Sequence, residues 1–166
     1  MKSRYFIAIE IEPRIVSKLR AFYQDNFLSK MPVKNIHLTL LAPFFVKENR
    51  SEEELVEKMK EIKFIPFTAK FTDLDIFEQK SKKILYAKVE PENKFFDLSE
   101  KVKILLDGLV KMDETPYTSG EVPSFKAHVT LNYNFREVIP ETFPDLSFLV
   151  EDVVVFKEEN EEWTKL

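Results

Sequence analysis

The chain has only two histidines, and both stand in the same tetrapeptide pattern: His37-Leu38-Thr39-Leu40 and His128-Val129-Thr130-Leu131. With eight Thr and sixteen Leu in the 166 residues, chance would place both histidines this way roughly a few times in 10⁵ sequences, far below the usual false-positive risk of a short motif. Each tetrapeptide alternates polar with apolar and is rich in strand formers, so the spacing predicts two β-strands. Side chains at i and i+2 of a strand share a face. His37 is therefore expected beside Thr39, and His128 beside Thr130, while Leu38, Leu40, Val129 and Leu131 turn into a core. One such strand taken alone is most simply a half-buried strand with a polar face. Two of them brought together supply a base, an acid and two hydroxyl donors, a set suited to displacement at a phosphodiester without a metal or a covalent intermediate.

The composition narrows the alternatives. Hydrophobic residues make up 44% of the chain, Phe alone contributing 16, enough to build the core of one domain spanning 1–166. The net charge is −4, so the chain is a poor general binder of nucleic acid, which requires many phosphates to be neutralised. A nucleic-acid substrate is expected to be held locally, by a terminus or a few nucleotides. There is no cysteine, which excludes disulfides, a thiolate nucleophile and thiolate zinc sites, and fits a cytoplasmic location. Near the N-terminus Arg4-Tyr-Phe-Ile-Ala-Ile9 is too short for a signal h-region, and no apolar run reaches the length of a membrane span. With two glycines, Gly108 and Gly120, no glycine-rich phosphate loop exists. Each histidine is paired with Thr, a poor metal ligand but a good donor to a phosphate oxygen, so no metal or other cofactor is expected. Nothing resembles a nucleophile elbow.

Taken in order, residues 5–11 read as a central strand and Pro13 opens a helix with Ile15, Val16, Leu19, Phe22 and Tyr23 on its buried stripe. The first His strand runs from about Asn35 to Leu41, limited by Pro43. Ser51-Glu-Glu-Glu54 is a capping box opening a short helix. Residues 67–77 and 84–89 pair as strands about a lysine-rich turn at 79–83, and a helix follows over 95–110. A loop over 112–123, a candidate rim for the site, leads into the second His strand at 125–133. Strands at 149–157 and 163–166 close the chain. Irregular alternation of helices with hairpins indicates α+β with largely antiparallel sheets rather than a doubly wound parallel one. Two lobes facing across a cleft would bring the histidines together.

The same period of two places Asn35 on the His37 face and Lys126 and Asn132 on the His128 face. Lys126 could supply the positive charge a phosphodiester cleft needs. Tyr5, Tyr117, Phe125 and Tyr133 are aromatic side chains able to stack on a base.

The paired motifs resemble those of the two-histidine phosphoesterase superfamily, which includes the 2′-5′ RNA ligase-like proteins and cyclic nucleotide phosphodiesterases. Arg4-Tyr-Phe-Ile-Ala-Ile9 resembles its opening strand, Asn35-Ile-His-Leu-Thr-Leu40 and Phe125-Lys-Ala-His-Val-Thr-Leu131 its two signatures, and Val150 through Trp163 its closing strands. The resemblance implies a bilobal fold with two sheets related by a pseudo-twofold and flanked by helices. It also implies a metal-independent phosphodiesterase that opens 2′,3′-cyclic phosphates of RNA ends or nucleotides to 2′-phosphates, with reversible 2′-5′ RNA ligase activity beside it. His37 would be the proton donor, His128 the proton acceptor, and Thr39 and Thr130 would hold the non-bridging oxygens. Substrate contacts would come from Lys126, Asn132, Asn35 and Tyr5; no membrane and no obligate protein partner are called for. Leu41 and Asn132-Tyr133 stand where the ligase-like branch usually carries basic residues. An RNA end, a dinucleotide and a small cyclic phosphate all remain open as substrate. The alternative to an enzyme is a binding module that keeps the same cleft to recognise a nucleotide or RNA end.

Overall fold

Strand parity and burial organise the molecule. A computed structural model describes residues 2–114 and 125–166. Nine strands and three helices follow in the order β1 (Arg4–Glu10), α1 (Pro13–Asn26), β2 (His37–Val46), α2 (Glu52–Met59), β3 (Phe67–Gln79), β4 (Lys82–Glu90), α3 (Glu92–Leu105), β5 (Val110–Met112), β6 (His128–Asn132), β7 (Ser147–Val150), β8 (Val154–Glu159) and β9 (Glu162–Lys165). The fold is α+β, with mostly antiparallel strands in a curled sheet.

The strand order is β7-β3-β4-β6-β2-β1-β8-β9, with β5 added beside β2. The two sheets expected from the sequence are the halves of this array. β9-β8-β1-β2 forms one half and β6-β4-β3-β7 the other. They meet through a single antiparallel pair, Leu38 with Val129. Each half contains a strand, a helix and a returning His strand: β1-α1-β2 and β4-α3-β6. This is a pseudo-twofold in topology, and its axis runs beside the two motifs.

The main core lies on the helical side. Ile7 and Ile9 of β1, Leu38 of β2, Ala87 of β4 and Val129 of β6 meet Ile15, Leu19 and Tyr23 of α1, Leu55 of α2 and Phe95, Leu98 and Val102 of α3. The α2 capping box forms as expected, with Ser51 accepting from the Glu54 amide and the Glu54 side chain accepting from the Ser51 amide.

Four expectations about elements are corrected. β2 does not stop before Pro43 but continues to Val46. The β1–β2 register shifts between Tyr5 and Ile7, so Pro43 sits at an irregularity where the ladder does not need its missing N–H. Its carbonyl accepts from Asp113 N at 2.9 Å. The third helix ends at Leu105 instead of reaching 110, because Gly108 adopts φ +78° and the chain turns into β5. The turn between β3 and β4 is shorter than 79–83, since both strands extend toward Lys80, itself at φ +52°. The single strand expected over 149–157 is two strands on opposite sides of the molecule, β7 against β3 and β8 against β1. The rim loop lies almost wholly in 115–124, and Tyr117 with it, outside the described residues.

Gly108 also yields a stability prediction. No atom lies within 4 Å of a Cβ built there, so the cost of Gly108→Ala is conformational alone. The left-handed backbone should make the variant less stable by about 1–2 kcal/mol. Urea unfolding measures it, and an unchanged midpoint would contradict the account.

Candidate active site

The alternation in the motifs aims the two histidine–threonine pairs at one cleft. Leu38, Leu40, Val129 and Leu131 are buried in the core. His37, Thr39, His128 and Thr130 line the opposite side, together with residues of both halves. Because Leu38 pairs with Val129 in an antiparallel ladder, His37 runs beside Thr130 and Thr39 beside His128. Each imidazole thus neighbours a hydroxyl on its own strand and another across the ladder.

Each ring is oriented by the same backbone device. His37 Nδ1 lies 3.0 Å from the Asn35 carbonyl oxygen, and His128 Nδ1 lies 2.6 Å from that of Lys126. A carbonyl only accepts, so each Nδ1 carries the proton and donates it. Nε2 is then the free nitrogen in both rings: an acceptor when the ring is neutral, a donor when it is charged.

The rings also rest on matched aromatic beds. His37 packs on Phe6 of β1 and Phe156 of β8, with centroids 4.7 and 5.8 Å away, and those two rings stack at 4.9 Å. His128 stands edge-on to Tyr86 of β4 and Phe77 of β3, at 5.4 and 5.1 Å, and those rings stack at 3.9 Å. β1 and β8 correspond to β4 and β3 under the pseudo-twofold, so the symmetry of the strands extends to the floor of the site. Burial against these rings disfavours the imidazolium and pushes both histidines below their usual value. The hydrogen bonds to the Asn35 and Lys126 carbonyls oppose that shift.

Residues 8–162 match the family model of the 2'-5' RNA ligase superfamily. The chain belongs to that superfamily. Its two-histidine phosphoesterase character, anticipated from the paired motifs, stands on the same match. Solved structures agree on the fold. TT0787 of Thermus thermophilus is 24% identical with a TM-score of 0.70, over 98% of this chain and 94% of that one. Apo LigT of E. coli is 20% identical with a TM-score of 0.69, over 100% of this chain and 96% of its own. LigT complexed with 3'-AMP, also 20% identical over 100% of this chain and 96% of that one, superposes at a TM-score of 0.67. No curated protein matches.

Around this cleft the other sequence candidates divide. Lys126 lines the cleft, its Nζ over the Phe77 and Tyr86 rings at 5.7 and 5.9 Å and 3.5 Å from the Tyr86 hydroxyl, to which it donates. Asn35 also lines it, but the contact it makes to the two histidines is its carbonyl on His37, and its side-chain amide donates to the Trp163 carbonyl at 3.4 Å. Asn132 borders the cleft with its amide tied into the protein: Nδ2 donates to the Tyr23 hydroxyl at 2.8 Å, and Oδ1 accepts from Asn134 N at 2.8 Å. Phe125 and Tyr133 are on the lining as well.

Tyr5 is misplaced by the sequence reading. It shares the core face of β1 with Ile7 and Ile9, is 5% exposed, and donates its hydroxyl to Glu52 at 2.6 Å. Burial first, and then that carboxylate, push its phenol up to about 12. The opposite face of β1 carries Arg4, Phe6, Ala8 and Glu10, of which Phe6 lines the cleft. Arg4 donates to both oxygens of Glu158 at 2.8 and 3.0 Å and to Asp113 at 3.0 Å, and its guanidinium lies 5.4 Å from the Trp163 ring. Trp163 meets Phe6 edge-on at 4.6 Å and lines the cleft. Phe6, Phe77, Tyr86 and Trp163 were not singled out from the sequence for the site. The signals for the parity of β1 are Arg4 and Glu10: charged residues mark the face that is not core.

Among the described residues no three His or acidic side chains cluster as metal ligands. No helix among them is long and apolar enough to cross a membrane.

Proposed function

We propose that the protein is a metal-independent phosphodiesterase that opens 2′,3′-cyclic phosphates of RNA ends or nucleotides to 2′-phosphates, with reversible 2′-5′ ligation when a 5′-hydroxyl takes the place of the attacking water. The observation that carries this reading is the matched pair of Nε2 atoms, each freed by an Nδ1–H···O=C bond and each flanked by threonine. In the forward direction His128 Nε2 takes a proton from water as the water oxygen bonds to phosphorus. The P–O3′ bond breaks, and His37, charged at the start, gives its Nε2 proton to O3′. Thr39 and Thr130 donate to the non-bridging oxygens, where charge builds up. Complexes of LigT with 3'-AMP and with ATP support a ligand of nucleotide size. Turnover of 2′,3′-cyclic nucleotides and of cyclic-phosphate-ended RNA tests the proposal. Tight nucleotide binding with no turnover of either would favour the binding-module alternative.

The electrostatics add a pH prediction. The free enzyme's kcat/KM requires His128 neutral and His37 charged, so it should be bell-shaped. Burial lowers both histidines, so both limbs should fall on the acid side of about 6.5, the ordinary value. A bound phosphodiester is an anion and favours the imidazolium, so the limbs of kcat should lie above those of kcat/KM. Parallel pH profiles of the two constants check this. A kcat/KM flat from about pH 5 to about pH 9 would show that neither ring transfers a proton.

A further inference from the structure

The two half-sites match in strand order, backbone orienter and aromatic floor, and two such histidines would be interchangeable as acid and base. Among the differences between the halves, one lies in the motifs themselves. The residue two before each histidine supplies the orienting carbonyl and shares the histidine's face: it is neutral Asn35 in one half and cationic Lys126 in the other. The Lys126 ammonium lies over Phe77 and Tyr86, the same two rings that His128 stands against. The other half has cations too: Arg4, which Glu158 and Asp113 neutralise, and Lys34 on the cleft lining, which is not among the groups that shift His37; Glu10, opposite His37 on β1, is paired with Lys165. Lys126 has no carboxylate in ion-pair distance among the described residues.

We propose that Lys126 is the positioning residue that breaks the symmetry of the site: it makes His128 the proton acceptor and leaves His37 the proton donor. The remaining charges around His128 do not cancel this. On β4, Lys88 faces the ladder opposite His128, but Asp75 and Asp73 of β3 hold its ammonium at 3.2 and 3.6 Å. Tyr86 of β4 stays neutral, its phenol pushed up to about 12 by burial and by Asp75. Glu92, at the start of α3, whose carboxylate accepts from Ala127 N at 3.1 Å, favours the imidazolium, but by less than Lys126 disfavours it. His37 of β2 faces His128 across the cleft, and a charge on either ring disfavours one on the other. Burial is the largest influence on each ring, yet only His128 has an ammonium among the groups that lower it. A fixed positive charge beside one member of an equivalent pair keeps that member unprotonated, and the proton resides on the other.

The catalytic consequence rests on the phosphodiesterase reading; the charge asymmetry does not, so it is tested on the free protein. The measurement is an NMR titration of the two imidazoles without substrate, with resonances assigned from single His→Gln variants. In the wild type His128 should lose its proton at lower pH than His37. Lys126→Asn, which copies the other half, should raise the His128 midpoint toward that of His37 and leave His37 nearly unmoved, while Lys126→Arg should keep the wild-type order. If cyclic phosphates are turned over, Lys126→Asn should also move the acid limb of kcat/KM upward. An unmoved His128 midpoint, with KM raised and kcat unchanged, would overturn the proposal and leave Lys126 a simple phosphate contact. Because the titration needs no turnover, it decides the point even if no cyclic phosphate proves to be a substrate.

Discussion

His128→Ala should lower kcat on a 2′,3′-cyclic nucleotide by about 10²–10⁴-fold, the usual contribution of a positioned general base. The strand should survive the change, because Val129 and Leu131 anchor it in the core while His128 faces the cleft. Thermal unfolding should therefore shift little, and product-nucleotide affinity should change far less than the rate, since Thr39 and Thr130 remain to hold the phosphate. His37→Ala should lose a similar factor by removing the acid. Full turnover by His128→Ala on every cyclic phosphate the wild type cleaves would defeat the mechanism.

The second large effect belongs to the hydroxyls. Thr39→Val and Thr130→Val keep the β-branched shape that suits a strand and delete only the donor. If each hydroxyl meets a non-bridging oxygen as charge develops, each loss should cost about 2–4 kcal/mol of transition-state stabilisation. That corresponds to roughly 30- to 1000-fold in kcat. The two losses should be similar, because the antiparallel register sets each threonine beside the other strand's histidine. Steady-state kinetics on a cyclic nucleotide measures them. A rise in KM with kcat intact would show that the hydroxyls bind substrate and transition state alike, and that they do not act as oxyanion donors.

The motif strands were legible because their polar and apolar residues alternate strictly, leaving one parity consistent with a core. β1 was not: Tyr5, Phe6, Ile7, Ala8 and Ile9 are buried on both faces, so hydrophobicity carries no parity, and Tyr5 was expected at the site where Phe6 stands. Two covered faces are what a strand has when it lies between a helical core and an aromatic site floor. The split between β7 and β8 was hidden for another reason. Their partners, β3 and β1, lie about 80 and 150 residues away in sequence, and Glu151-Asp152 is the sole local sign of the break. The pseudo-twofold was faint in the sequence because it resides in strand order and in residues of different type, Phe156 answering Phe77 and Phe6 answering Tyr86. The asymmetry of Lys126 against Asn35 was written in the motifs, but its meaning required the shared aromatic bed.

The central claim is that two histidines without a metal open a 2′,3′-cyclic phosphate toward the 2′-phosphate. The most direct measurement is ³¹P NMR of a 2′,3′-cyclic nucleotide incubated with the protein in excess EDTA, with His128→Ala in parallel. The account predicts conversion to a single 2′-phosphate resonance by the wild type, undiminished by the chelator and nearly abolished in the variant. A 3′-phosphate product, activity lost to EDTA and restored by one divalent ion, or equal conversion by the variant would contradict it.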